Sequence, residues 1–462
     1  MKFAFLLFPL ALLLTMSAVA QSNPVPFVDP SLMPGAAVPG GSPFTLTVRG
    51  TNFISTSVVN WNGNPRTTTF VNGTTLQAQI AASDIAAAQT ALITVTNPSP
   101  GGGKSNVALF PVTSPRSSVS LNPQTTSQQA SAYSVAVGDT NGDGKLDAAF
   151  GLDYESYLNL ASYTSNGDGT MQLKQYISRS NAGGSGDVAL GDFNGDGILD
   201  LVAGGADRVS IFAGRGDGTF SKAIVHKVGH SAIAVGVADF NRDGKLDVAI
   251  EDMADNAVYI LLGNGDGTLQ NAVSYPTGPA PLSLVVADFN RDGNLDLAVA
   301  NTKTRENSVS VLLGNGDGTF QTQKKYSTAG PNNYTVASAD LNGDGFPDLV
   351  ASGRFGSSAA VVLLGAGDGT FLPGVKYRTG NEPATLTLAD LNGDGNPDIV
   401  VDNSLDGTIS VLLGRGNGTF QSQMTFPGAF GGQFAVADLN DDGKIDLISA
   451  DGGPFFTVYL QN

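Results

Sequence analysis

No cysteine occurs among the 462 residues, so disulfides are excluded, and no thiol follows the N-terminal segment to carry a lipid anchor. Histidine is nearly absent too. His226 and His230 are the only two, and they fall in one fourth strand and its exit with no paired acid placed nearby, a pattern of surface decoration that argues against a histidine-based enzyme. After residue 20 no segment is apolar enough to anchor the chain in a membrane. A secreted chain with 59 glycines and no thiol crosslink must be braced in another way.

Residues 1–20 have the pattern of a cleaved secretory signal. Lys2 is followed by an apolar run from Phe3 to Met16 and by Ala18, Val19 and Ala20 before Gln21, a basic, hydrophobic and small-residue series too short to span a bilayer comfortably. Cleavage near Ala20 predicts a secreted, extracellular or periplasmic protein without a membrane span, and a monomer.

The formal charge of −17 disfavours nucleic acid and anionic membranes as partners. Its distribution is more informative, because 22 of the 41 acidic residues lie in seven copies of one nine-residue phrase. The remaining 19 are matched by 19 Lys and Arg outside those phrases. Seven divalent cations would nearly cancel the excess.

The phrase reads DxNxDGxxD. Its first positions are Asp139, Asp192, Asp239, Asp288, Asp340, Asp390 and Asp438. The third are Asn141, Asn194, Asn241, Asn290, Asn342, Asn392 and Asn440, and the fifth are Asp143, Asp196, Asp243, Asp292, Asp344, Asp394 and Asp442. The ninth are Asp147, Asp200, Asp247, Asp296, Asp348, Asp398 and Asp446. These side chains offer only oxygen as a metal donor, which suits a hard cation such as Ca²⁺, and glycine at position six allows the turn that gathers them. Position seven is unrestricted (Lys145, Ile198, Lys245, Asn294, Phe346, Asn396, Lys444), which fits a ligand role for its backbone carbonyl alone. The opening matches an EF-hand loop, but strands flank it and position twelve never supplies the bidentate glutamate. A metal-free Asp-Gly turn is the plainer alternative, yet a turn would not need aspartate at positions one, five and nine seven times over.

Successive first aspartates stand 53, 47, 49, 52, 50 and 48 residues apart, so each interval must be the same structural piece. Between them runs a second phrase, such as NGDGTF at 315–320, whose glycines mark a tight hairpin and for which a metal is not needed. Each unit therefore reads as four short strands, and four-stranded units at this period close radially into a β-propeller. Seven units predict seven blades over residues 115–462. The last unit lacks a fourth strand, and RSSVSLNPQ at 116–124 is expected to supply it, hiding the sheet edge.

Residues 24–113 carry no such phrase but alternate β-branched and polar residues between turns. The stretches VRGTNF at 48–53, VVNWNG at 58–63, IAASDIAAAQTALITVTNPSPGGGKSN at 80–106 and a closing FPV resemble an IPT/TIG domain, which implies an immunoglobulin-like sandwich with Trp61 and Phe70 as core or turn-packing residues. From 115 onward the repeats resemble the FG-GAP/VCBS family and are similar to the calcium-binding propeller of integrin α chains, the bacterial VCBS type being closer. The resemblance implies that positions one, three, five, seven and nine of all seven loops ligate structural Ca²⁺, about seven ions per chain. At roughly 1.4 kcal/mol per weak site at tenfold saturation, seven ions would contribute about as much as the whole stability of a typical domain.

Both turn phrases fall on one face of the disc. The irregular connections on the other face suit recognition of a protein or carbohydrate ligand, with Tyr154, Arg305, Arg354 and Phe355 as candidate contacts. An extracellular polysaccharide lyase or hydrolase is the rival class, and a rigid spacer in a surface assembly a third. Arg215-Gly216-Asp217 spells an adhesive tripeptide but is also the arginine version of the repeated hairpin.

Overall fold

The computed structural model describes residues 22–129, 131–152, 158–178, 186–302, 308–328, 333–353, 356–428 and 431–461. Among them the chain is all-β, the one helical element being a 3₁₀ turn at Ala82–Ile85. The expected signal segment and the candidate contacts Tyr154, Arg305, Arg354 and Phe355 lie outside the described residues.

Residues 27–112 form two sheets on one core. One holds the strands Phe27–Val28, Phe44–Thr51, Thr68–Asn72 and Thr75–Ile80; the other is built on Val58–Trp61 and Gln89–Asn97, with Ala108–Val112 paired to the latter. The alternation seen in TLQAQI becomes the burial pattern of its strand, with Leu76, Ala78 and Ile80 inward. They meet Val59, Trp61, Ile93, Val95 and Phe110 of the facing sheet, where Trp61 is buried and its ring lies 5.2 Å from that of Phe110. Phe70 departs from expectation. It is 38% exposed on an outer strand, opposite Leu76 and beside the register shift that separates it from the Asn72–Thr75 pair.

From residue 121 on, the described strands make seven four-stranded antiparallel sheets. The fourth is representative: Pro281–Ala287, Asp296–Asn301, Ser308–Leu312 and Lys324–Ser327 in sequential order. The aspartate loop joins the first strand to the second, and the GDGT turn lies between the third and fourth. The first strands contact one another in chain order, and that of the last sheet, Phe434–Ala437, contacts that of the first, Ala132–Gly138, so the cycle closes. Crowding at this axis explains the small residues there: a Cβ on Gly236 would stand 2.6 Å from Leu284 Cδ1 of the next first strand. Hydroxyls stitch neighbours together, Thr335 Oγ1 donating to Ala384 O at 2.9 Å and Thr385 Oγ1 to Gly432 O at 2.7 Å.

The last sheet takes its fourth strand from Leu121–Ser127, paired antiparallel with Phe455–Gln461. The closing strand thus starts five residues later than the segment expected at 116–124, because Arg116 is spent elsewhere: its N–H donates to Asn392 O and its guanidinium to Leu391 O and to Gln461 Oε1. At the seam between last and first sheets, the Phe456 ring packs 4.8 Å from Phe150 and 4.9 Å from Tyr163. Other seams repeat one device, in which a fourth-strand tyrosine meets the GDGTF phenylalanine of the next sheet edge to face, as in Tyr326 with Phe371 at 5.2 Å and Tyr377 with Phe420 at 5.2 Å.

Candidate metal centres

Each aspartate loop is organised by its own backbone amides. In all seven, the position-six N–H donates to Oδ2 of the first aspartate at 2.8–3.0 Å. The position-five N–H donates to the asparagine Oδ1 of position three, and the position-seven N–H to Oδ1 of the position-five aspartate, as in loop 2 at 2.9 and 2.8 Å. Position six is a glycine at positive φ throughout, from 83° to 92°. Position four is left-handed as well, although the sequence places Arg242, Arg291 and Asp441 there in three loops, at φ 61°, 56° and 57°. A non-glycine residue held there costs roughly 1–2 kcal/mol, and the two arginines offset that cost by bridging to the next loop. Arg242 donates to Gly293 O, and Arg291 Nε donates to Gly345 O at 2.7 Å.

Position seven proves less free than its variability implies. A Cβ built on the first glycine of the neighbouring hairpin would meet Lys145, Ile198, Lys245, Asn294, Phe346 or Asn396, so these side chains lean over the turn phrase of their own repeat. In the turns themselves, Asp168, Asp217, Asp266, Asp317 and Asp368 each accept the N–H and the Oγ1 hydroxyl of the threonine two residues on, and those hydrogen bonds hold their carboxyls below the ordinary range. The Arg215-Gly216-Asp217 carboxylate is therefore committed to Thr219.

The ninth aspartate has a second role that sequence reasoning missed. Its Oδ2 accepts the N–H of position two and its Oδ1 accepts an N–H at the end of the third strand, or at Gln461 in the last repeat, at 2.7–3.0 Å in every loop. All seven are fully buried. Each thus pins the aspartate loop to the base of the hairpin, and the N–H groups of two turns end on one carboxylate.

Burial, with like charges beside it, sets the electrostatics. Asp247 and Asp296 are pushed up to about 8 by burial, opposed by hydrogen bonds to Gly263 and Gly314, and raised further by the loop's other aspartates. Asp348 and Asp446 rise to about 7 and Asp200 to about 6, again chiefly by burial. At position one, Asp288 and Asp390 stand at about 7 and Asp239 at about 6 for the same reason. Carboxylates of positions one, five and nine are thus within electrostatic reach of one another, with Arg49 beside Asp340, Lys245 beside Asp243 and Lys444 beside Asp442 as partial counter-charges. Among the described residues no three Asp, Glu or His groups converge tightly enough to hold a metal ion, since each carboxylate is turned onto the loop's amides. The donor set still fits a hard cation: every loop supplies three carboxylates and an amide oxygen, and an oxygen that holds one N–H retains a second lone pair.

A feature with no sequence signal is the seat of the N-terminal sandwich, which lies on the aspartate-loop face. Val25 N–H donates to Asp239 Oδ2 at 2.8 Å, Thr90 N–H to Asp438 Oδ2 at 3.2 Å, and Asp340 N–H to Ser31 Oγ at 2.8 Å. Arg49 lies 3.5 Å from Asp340, and Arg291 lies 2.6 Å from Asp29. A Cβ on the position-six glycine would meet Asn23 in loop 3, Thr74 in loop 4, Arg49 in loop 5, Ala36 in loop 6 and Gln89 in loop 7. In loops 1 and 2, Gly144 and Gly197 face open space. Those two loops border a cleft of about 2080 Å³ between the sandwich and the ring.

On the opposite face the expectation of an unpaired histidine is corrected. His230 Nδ1 lies 2.9 Å from Asp255 Oδ1, and Tyr259 OH donates to Asp255 Oδ2 at 2.7 Å. The acid follows 25 residues later in sequence, on the connection between the second and third strands that folds back over the strand exit. His226 is half-buried and accepts the Leu269 N–H on Nε2.

No helix among the described residues is long and apolar enough to cross a membrane. No curated protein matches the chain. Among solved structures, a proposed 6-phosphogluconolactonase from Bacteroides uniformis is 14% identical, with a TM-score of 0.50 over 73% of this chain and 92% of that one. An Agrocybe aegerita lectin that recognises non-reducing terminal N-acetylglucosamine is 19% identical (TM-score 0.48, 79% of this chain and 96% of that one), and the Pseudomonas aeruginosa periplasmic gluconolactonase PpgL is 16% identical (TM-score 0.47, 74% and 93%). At such identities the likeness concerns the fold alone. The FG-GAP-like repeat matches at residues 139–203, 192–250, 239–299, 292–351 and 340–401, more than half of the chain, and with its repeating sheets and aspartate loops this chain belongs to the FG-GAP-like repeat family.

Proposed function

We propose that this is an exported, calcium-stabilised binding protein: a seven-bladed propeller whose loops carry structural Ca²⁺, preceded by an IPT/TIG-like domain, that recognises a protein or carbohydrate ligand. The observation that carries the reading is the sevenfold recurrence of a loop whose three carboxylates outnumber the cations beside them, the buried ones being raised by burial and by the loop's other aspartates. A divalent cation would supply the missing positive charge when bound. Positions one, three, five and nine would hold it, with the position-seven carbonyl, while the amides of positions five to seven keep the loop folded.

Ligand recognition is assigned to the face opposite the aspartate loops, because the protein's own sandwich already occupies five loops on the other face. Described residues there include Leu405, 66% exposed on the corresponding connection of the sixth sheet, and Met253, 39% exposed on the same connection as Asp255 of the His230–Asp255–Tyr259 group. That trio lacks a nucleophile bonded to the imidazole, which favours binding over hydrolysis; an extracellular polysaccharide-active enzyme is the second reading, and the same trio motivates it.

Ion counting on the purified protein, together with melts in calcium and in chelator and a glycan and protein panel read for both capture and turnover, tests the proposal. About seven ions, a large fall in melting temperature on chelation and capture without turnover are expected. An unchanged melt with no bound ion would refute the calcium part, and product formation would replace the binder with the enzyme.

A further inference from the structure

The sandwich does not cover the ring evenly, and this unevenness has a chemical consequence. Every aspartate loop makes the same hydrogen bond from its position-six N–H to the first aspartate, and the same two from positions five and seven, so the seven are alike as local structures. They differ in what lies over them. The position-five aspartate is exposed in loops 1, 2, 4, 5 and 6, but the glycine that follows it is exposed only in loops 1 and 2, at Gly144 and Gly197; Gly244 and Gly395 are half-buried and Gly293, Gly345 and Gly443 buried. In loops 3 and 7 the sandwich donates backbone N–H groups directly to the first aspartate.

Resting on the calcium reading above, we infer that the N-terminal sandwich divides the cation sites into two kinds: two exchangeable sites in loops 1 and 2, uncovered at the position-six glycine, and five slower sites in loops 3 to 7, where the sandwich lies against that glycine. An ion held in a covered loop leaves only when the seat opens locally, and the opening free energy multiplies its residence time. The open loops impose no such step. Their Asp139, Asn141, Asp192 and Asp196 line the cleft, whose rim also includes Asp239 of loop 3 and Asp438 of loop 7; those two aspartates already accept N–H groups of the sandwich. Arg291 with Asp29 is the firmest point of the seat, with side-chain exposures of 15% and 5%, and it stands over loops 4 and 5.

Rapid mixing of the calcium-loaded full chain with excess chelating dye reads this out. Two ions are expected to leave within the mixing time and five in a slow phase. Asp143→Asn with Asp196→Asn should delete the fast amplitude and keep the slow one. Arg291→Ala with Asp29→Ala should speed the slow phase by about tenfold or more, as a weaker seat opens more often, without moving the fast one; Arg49→Ala, a milder change at loop 5, should speed one of the five slow ions if the double variant does not fold. Release of all seven ions in one phase, or a slow phase unmoved by either set of seat variants, would overturn the division while leaving the calcium reading intact. No bound ion at all would remove both.

Discussion

Arg291 and Asp29, 262 residues apart in sequence, meet with Nη1 2.6 Å from Oδ2 in a nearly buried contact between the ring and the sandwich. Burial raises the Asp29 carboxyl, and Arg291 is the first group that pulls it back. The pair locks the sandwich to the loop face, and the same guanidinium holds the carbonyl of Gly345.

Replacing Arg291 with alanine leaves Asp29 buried without its partner, which should cost about 3–5 kcal/mol. Asp29→Asn in the Arg291→Ala background should recover part of it. A double-mutant cycle by denaturant unfolding measures the coupling, and additive losses would show that the pair contributes nothing at the seat.

The ninth aspartate should matter without metal. Asp247→Ala orphans the buried N–H groups of Phe240 and Gly263, at about 1–3 kcal/mol each, in chelator as in calcium. Asp243→Ala, which loses one N–H contact with Lys245, should destabilise chiefly when calcium is present. Melts of both variants in the two conditions separate strut from ligand; equal calcium-dependent losses would make Asp247 a ligand only.

At the seam, Phe456 is fully buried against Phe150 and Tyr163. Phe456→Ala should cost about 3–5 kcal/mol, and hydrogen exchange should rise first in Leu121–Ser127 and Phe455–Gln461, where the ring closes. Protection lost evenly around the ring would contradict a localised seam.

Glu251 predicts the pH response. It is fully buried, and the Ala234 N–H is the one backbone group that favours its charged form. Burial, then Asp187 and Asp252, push it well above the usual carboxylate range. Asp187 itself is raised to about 6 by burial, against hydrogen bonds from Val235, Val188 and Gln433. Because both folded values exceed the unfolded ones, their stabilising effect is complete below about pH 4 and is lost as pH rises through about 6 and beyond. Glu251→Gln should therefore match the wild type near pH 4 and gain about 1–3 kcal/mol by pH 8. A gain that is the same at both pH values would rule out ionisation of Glu251 as the cause.

The repeat, the four-strand unit and the loop positions were legible because each recurs at a fixed period and is satisfied within a few residues. Asp192, Asn194 and Asp196 find their amides inside their own phrase. What could not be read depends on distant contacts. Nothing near Asp239 announces Val25, 214 residues away, and nothing in DFNRDG shows that Arg242 and Arg291 accept a left-handed backbone in order to reach the following loop. The ninth aspartate was legible as an acid but not as a strut, because its second amide, such as Gly263, lies a whole hairpin downstream. His230 was read as solitary for the same reason, since only the fold brings Asp255 back to it.

The outermost strand of the last sheet is made by residues 121–127 and the other three by residues 434–461. A polypeptide emerging in order from a ribosome or a translocon cannot finish that sheet until more than three hundred residues separating its pieces have emerged. The other six sheets carry no such dependence, each being made from one continuous stretch of chain, so the strand 121–127 is the one ring strand whose partner is synthesised last.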